Sequence, residues 1–263
     1  MSRRRSKTNS LYYFGGIVSI LAFLTVMALL WSARNPIDAS TGCSVDSSRL
    51  QNTYTFLLDT SDALSEVQLR KIRNLIESLI STTITEDRFQ IFLMGDSEEF
   101  ALDAIFDRCH STHNISESPA LDRFRRIDFE SSIFSTVENV SDASVSPILQ
   151  SVNAVSTAVP RDPSEKHLII VSDFYEHSSI FSLYGTTIQR ALVDREREIT
   201  SSLPDLRGVS VYMQVIDRPN LVQDGQFVEG WISIFRKAGA TLRSKSVGEP
   251  GNEVLLDVAT RVT

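Results

Sequence analysis

Two aspartates and a few hydroxyls are the residues here whose types and placement could do chemistry. Asp59 ends a compact apolar segment and opens the loop Asp59-Thr60-Ser61-Asp62-Ala63. Asp173 ends a second apolar segment in Val171-Ser172-Asp173, and Ser144 and Ser146 lie just before Pro147. Carboxylate and hydroxyl oxygens are hard donors, the set that Mg2+ or Mn2+ prefers. The alternative is structural, with Asp59 and Asp173 capping loops and neighbouring helix N-termini.

Other chemistries find less support. Asp59 and Asp62 are three residues apart, whereas phosphatases of the haloacid dehalogenase type place their two aspartates two apart. The sequence has no G-x-x-x-x-G-K-[ST] phosphate loop, no G-x-S-x-G elbow and no H-E-x-x-H pair. His110 and His113 beside Cys109 could contribute to a zinc site only with a ligand from elsewhere, and they read as an exposed polar loop. His177 is placed to line the rim near Asp173, and His167 to open its strand at the surface. Asp194 to Glu198 reads as a solvated helix face. Asn114-Ile115-Ser116 and Asn139-Val140-Ser141 match the glycosylation triplet.

The elements that position these residues alternate between strand and helix. Strands are expected at Tyr54–Leu58, Phe89–Met94, Leu102–Phe106, His167–Ser172, Val209–Ile216 and Thr241–Ser246. Ser65 caps a helix with Gln68 as its capping-box partner, and Leu69, Ile72, Leu75, Ile76, Leu79 and Ile80 give that helix one apolar face. Further helices are expected at Leu121–Val140, from Pro147 to Val159, at Thr187–Ser202 and at Phe227–Lys237. Continuous apolar strands alternating with helices give an α/β fold, a mostly parallel sheet covered on both faces. In such sheets sites form at the carboxyl ends of strands, where both aspartates fall.

In this order and placement the residues resemble the von Willebrand factor A domain. Asp59-x-Ser61 follows a first strand, Ser146-Pro147-Ile148 opens a helix and Val171-Ser172-Asp173 closes a strand. The resemblance runs from Thr53 to the C-terminus and implies a doubly wound, Rossmann-like sheet flanked by helices. In that family a metal-ion-dependent adhesion site uses D-x-S-x-S, a later Thr and an Asp after the fourth strand. Carried over, Asp59 and Ser61 match the first two positions, Ser146 takes the place of the Thr and Asp173 matches the last. The third position is Ala63, which offers no oxygen, so the implied Mg2+ or Mn2+ site is degenerate; Ser65 falls two residues late. The family's metal reaches a partner through an open coordination position, which implies a binding domain rather than an enzyme. The stretch from Ser172 to Tyr184 is also similar to membrane-anchored bacterial members.

The N-terminus bears on location. Leu11–Ser32 carries no charge and is long enough to span a bilayer core once, with Tyr12, Tyr13 and Trp31 as interfacial anchors. Arg3, Arg4, Arg5 and Lys7 precede it, which puts the N-terminus in the cytoplasm by the positive-inside rule. Trp31 argues against signal-peptide cleavage after Ala33, so the segment reads as an uncleaved anchor. The expected organisation is a basic tail over 1–10, a transmembrane helix over 11–32, a linker over 33–52 and the A-type domain over 53–263, on the periplasmic side of the inner membrane. Beyond residue 33 there are 22 basic against 33 acidic residues, which argues against nucleic acid as a partner. Cys43 and Cys109 are the only cysteines, and spacing alone leaves both a disulfide and two free thiols open.

Together these readings lead to the expectation of protein–protein recognition within a membrane-associated assembly, through the loops around Asp59, Ser61, Ser146 and Asp173. A metal-dependent hydrolase using Asp59 and Asp173 is one alternative. A metal-free structural subunit binding through its helix faces is another.

Overall fold

The computed structural model describes residues 16–27, 37–61, 64–82, 87–94, 102–110, 119–138, 145–159, 162–216, 218 and 220–242. Strand β1 (Asn52–Asp59) is buried along its whole length and therefore takes a central place. It pairs in parallel with β2 (Asp87–Met94) on one side and with β4 (Glu165–Ser172) on the other. Beyond β4 run β5 (Val209–Val215) and the short β6 (Thr241–Leu242), both parallel. At the opposite edge β3 (Phe106–His110) is antiparallel to β2. The order β3-β2-β1-β4-β5-β6 makes a mixed six-stranded sheet that fits the expected A-type, Rossmann-like fold.

Alternation along β1 feeds two cores, because successive side chains point to opposite faces. Tyr54, Phe56 and Leu58 pack with Ile76, Leu79 and Ile80 of α1 (Glu66–Thr82) and with Phe129 and Ile133 of α2 (Pro119–Glu138). On the other face Leu57 and Ile170 meet Leu149 and Val152 of α3 (Ile148–Ala158), Ile188 of α4 (Ile188–Asp194), Ile199 of α5 (Glu196–Ser201) and Trp231 of α6 (Gly225–Lys237). Gly230 permits the close α4–α6 approach: a Cβ there would lie 2.6 Å from Ile188. The capping box forms as expected, with Gln68 Oε1 accepting from Ser65 N–H (2.8 Å) and Ser65 Oγ from Gln68 N–H (3.3 Å).

Several elements differ from their expected form. The third strand lies at Phe106–His110 rather than Leu102–Phe106. Its polar residues are usable because Asp107 takes a bidentate pair from Arg88 (2.7 and 2.6 Å) and Cys109 joins Cys43 in a disulfide. Residues 37–50, expected within the linker, are pinned to the domain by that disulfide, by Cys109 N–H donating to Thr41 O (2.8 Å) and by buried Leu50, while an Ile37–Ser44 bridge closes the segment on itself. The helix expected over 187–202 is interrupted at Arg195, so α4 and α5 are separate. His167 is buried rather than at the surface, stacked on Tyr54 and within hydrogen-bond reach of Asn52 Oδ1 (3.3 Å).

Residues 16–27 are helical and exposed throughout. Among the described residues no helix is long and apolar enough to cross a membrane; residues 11–15 and 28–32 of the expected span lie outside them. Asp62, Ala63, His113, Ser144 and both glycosylation triplets also lie outside the described residues.

Candidate functional site at the carboxyl ends of β1 and β4

The chain winds to one side of β1 through β2 and β3, then returns to β4 on the other side, so the direction switches between β1 and β4. Pairing of Leu58 with Val171 sets Asp59 beside Ser172 at this switch point, where open α/β sheets bind their ligands.

Asp59 is buried and gathers three segments. Its Oδ2 accepts from the hydroxyls of Ser146 (2.7 Å) and Ser172 (2.6 Å), and its Oδ1 accepts from Ser61 N–H (3.0 Å). Three of the four predicted site residues, Asp59, Ser61 and Ser146, are therefore joined directly. Asp173, the fourth, sits on the same edge with other partners. Its Oδ1 accepts from Tyr175 N–H (2.8 Å), and its Oδ2 lies 3.6 Å from Arg218 Nε, an ion pair longer than a hydrogen bond.

The loops around this cluster are tied to one another. Gln223 Nε2 donates to the carbonyls of Asp173 (2.8 Å) and Ile216 (2.9 Å), and its Oε1 accepts from Arg218 N–H (3.0 Å). His177 N–H donates to Ser146 O (3.0 Å), which bridges the loop before α3 to the loop after β4. Phe174 adopts φ 61°, a left-handed conformation that is strained for a bulky residue. It is held there by Ser172 Oγ, which accepts its N–H (2.8 Å), by Trp231 Nε1, which donates to its carbonyl (2.9 Å), and by burial against the Trp231 ring.

Glu176 supplies what the start of α3 lacks. Pro147 gives that helix no side-chain cap, and Leu149 N–H donates instead to Glu176 Oε2 (3.0 Å). Burial pushes the Glu176 carboxyl up to about 8, against the opposing pull of the Ser178 hydroxyl and the first amides of α3. Its role as a cross-loop cap was not visible in sequence, because nothing in the spacing links residue 176 to residue 149. Arg218 and Gln223 were missed for the same reason. The available signal was their place after β5, the strand next to β4.

Beside Asp173 the surface turns aromatic. Tyr175 stacks on Phe227, its hydroxyl donates to Val222 O (3.2 Å) and accepts from Val222 N–H (2.9 Å), and its ring meets Tyr184 at 5.7 Å. Tyr184 and Val222 are 58% and 68% exposed.

Chemically, the Asp59–Ser146–Ser172 cluster offers the oxygens a hard cation takes. The charge around Asp173 is different. A divalent cation bridging the two carboxylates would lie against the guanidinium already beside Asp173, so the residues present do not fit the ion while Arg218 stays in place. Among the described residues no group of three or more His, Cys, Asp or Glu side chains could hold a metal.

No protein-family model matches the chain, and no curated protein matches it in sequence. Solved structures to which it is similar include von Willebrand factor A domain proteins. A von Willebrand factor type A structure from Catenulispora acidiphila shares 9% identity (TM-score 0.45), with 81% of this chain covering 42% of that one. An aerotolerance-related membrane protein from Bacteroides fragilis shares 11% identity (TM-score 0.43), with 80% of this chain covering 98% of it. The PilB minor pilin from Streptococcus sanguinis shares 12% (TM-score 0.45), with 81% of this chain covering 60% of it.

Proposed function

We propose that the chain is a membrane-anchored protein-recognition module whose binding surface is the set of loops at the carboxyl ends of β1, β4 and β5. The observation that carries this reading is a fixed polar floor next to an exposed aromatic rim. Asp59, Ser146 and Ser172 are locked by short hydrogen bonds, while Tyr184 and Val222 stand exposed against Tyr175 beside Asp173. Loops already ordered lose little entropy on binding, and tyrosine brings large contact area with few torsions to fix.

The module acts by binding rather than catalysis. Asp59 accepts bonds from its own loop and from Ser146 and Ser172, and both Asp173 oxygens face internal partners, which supports a positioning role for the two carboxylates. Anchoring is supported by the charge-free run Leu11–Ser32, whose described part is a helix with exposed Ile17, Leu21 and Phe23. The Cys43–Cys109 disulfide suits an oxidising compartment, which agrees with a domain on the periplasmic side of the inner membrane. In the cation-dependent form of this reading Asp59, Ser61, Ser146 and Asp173 hold Mg2+ or Mn2+. The Asp173–Arg218 pair favours the form that works without the ion.

The test is site-specific photo-crosslinking in native membranes, with a benzophenone residue replacing Tyr184 and, as control, Arg207 at the opposite end of the sheet. A discrete adduct from position 184 alone, with and without EDTA, is the expected result. No adduct from 184, or equal adducts from both positions, would overturn the reading.

A further inference from the structure

Arg218 is placed by construction rather than by a chance surface contact. Its main chain is fixed by Gln223 Oε1 (3.0 Å), and the same Gln223 amide holds the carbonyl of Asp173 (2.8 Å), so one side chain sets both partners of the ion pair. The pair is largely shielded, with the Asp173 side chain 4% and the Arg218 side chain 22% exposed. The other Asp173 oxygen is occupied by Tyr175 N–H. A divalent cation binds a carboxylate oxygen at roughly 2.0–2.6 Å, and the guanidinium already stands 3.6 Å from Asp173 Oδ2. Two cationic groups cannot share that oxygen without strong repulsion in a site this shielded.

We propose that Arg218 is the resident counter-ion of this edge and keeps divalent cations out of the Asp59–Asp173 site. The recognition surface is then assembled permanently, without regulation by metal. Arginine suits the role because it stays charged at every physiological pH and is weakly hydrated, so it tolerates burial beside a carboxylate. The inference rests on the proposed recognition surface only for that consequence, since cation binding is a property of the chain alone.

The test measures Mn2+ binding to the full-length chain in mild detergent, by the loss of free-ion paramagnetic resonance signal and by thermal unfolding with and without EDTA. Wild type should show no binding and no shift in melting temperature. Arg218→Gln, which is shorter and keeps an amide donor but loses the charge, should bind Mn2+ with an affinity at least about tenfold above the detection limit that wild type fails to reach. Arg218→Lys should behave as wild type, and Arg218→Gln combined with Asp173→Asn should lose the gained affinity. Wild-type binding, no gain in Arg218→Gln, or equal gain in Arg218→Lys would each overturn the proposal. Because no partner is present, these failures are distinct from a missing cross-link at Tyr184.

Discussion

Replacing Glu176 by Gln should flatten the pH dependence of stability, and the size of the effect follows from where Glu176 sits. Its side chain is fully buried, Oε2 accepts the Leu149 N–H at 3.0 Å, and burial raises the carboxyl from 4.5 to about 8. The folded state therefore prefers the protonated form more strongly than the unfolded chain does. Stability from this group is fully present below pH 4.5, declines as pH rises, and is lost once pH passes about 8. A span of that width corresponds to about 5 kcal/mol, at about 1.4 kcal/mol per pH unit. Glutamine keeps an oxygen for Leu149 N–H and never ionises. Urea unfolding of both proteins at pH 5, 6, 7, 8 and 9 should show the variant gaining on wild type by about 1.4 kcal/mol per unit between pH 5 and 8. Parallel curves would refute the reasoning. They would mean that the amides at the start of α3 offset the whole desolvation cost of the ionised carboxylate.

Three further outcomes are expected. The Cys43–Cys109 disulfide closes a loop with a sequence separation of 66, so Cys43→Ser with Cys109→Ser should cost about 4 kcal/mol in chemical denaturation, matched by wild type under reductant. Ser172→Ala removes the donor to Asp59 Oδ2 and strands the buried Phe174 N–H, and should cost about 2–3 kcal/mol by the same assay. Asp87 is buried and raised to about 6, so its stabilising protonated form is lost between pH 3.8 and 6. Asp87→Asn can still accept from Asn52, and should raise stability at pH 8 by up to about 3 kcal/mol; an unchanged or lowered value would show the charge to be well accommodated.

What the sequence reveals and what it hides divide along physical lines. β1 and β4 are legible because their apolar runs end abruptly at Asp59 and Ser172-Asp173, and α1 because its capping box and apolar stripe are local features. The joining of Asp59, Ser61 and Ser146 follows from the rule that sites gather at strand carboxyl ends. β3 is hidden because Phe106-Asp107-Arg108-Cys109-His110 lacks an apolar pattern, and the Arg88 pairing that makes Asp107 acceptable comes from 19 residues away. The cysteine pairing stays open until β3 lies beside β2. Arg218 beside Asp173 and Glu176 beneath α3 are tertiary contacts across loops, which no periodicity encodes.

The most direct measurement is the size of the assembly in native membranes when the exposed rim is altered without touching the fold. Tyr184→Ser with Val222→Asp changes side chains that are largely in solvent, whereas Val193→Ser, 76% exposed on α4, is the control. Melting temperatures should match wild type in both variants. On native gels the rim variant should run as the dissociated chain and the control should stay in its complex. An intact complex in the rim variant, or equal loss in the control, would contradict the placement of recognition at this edge.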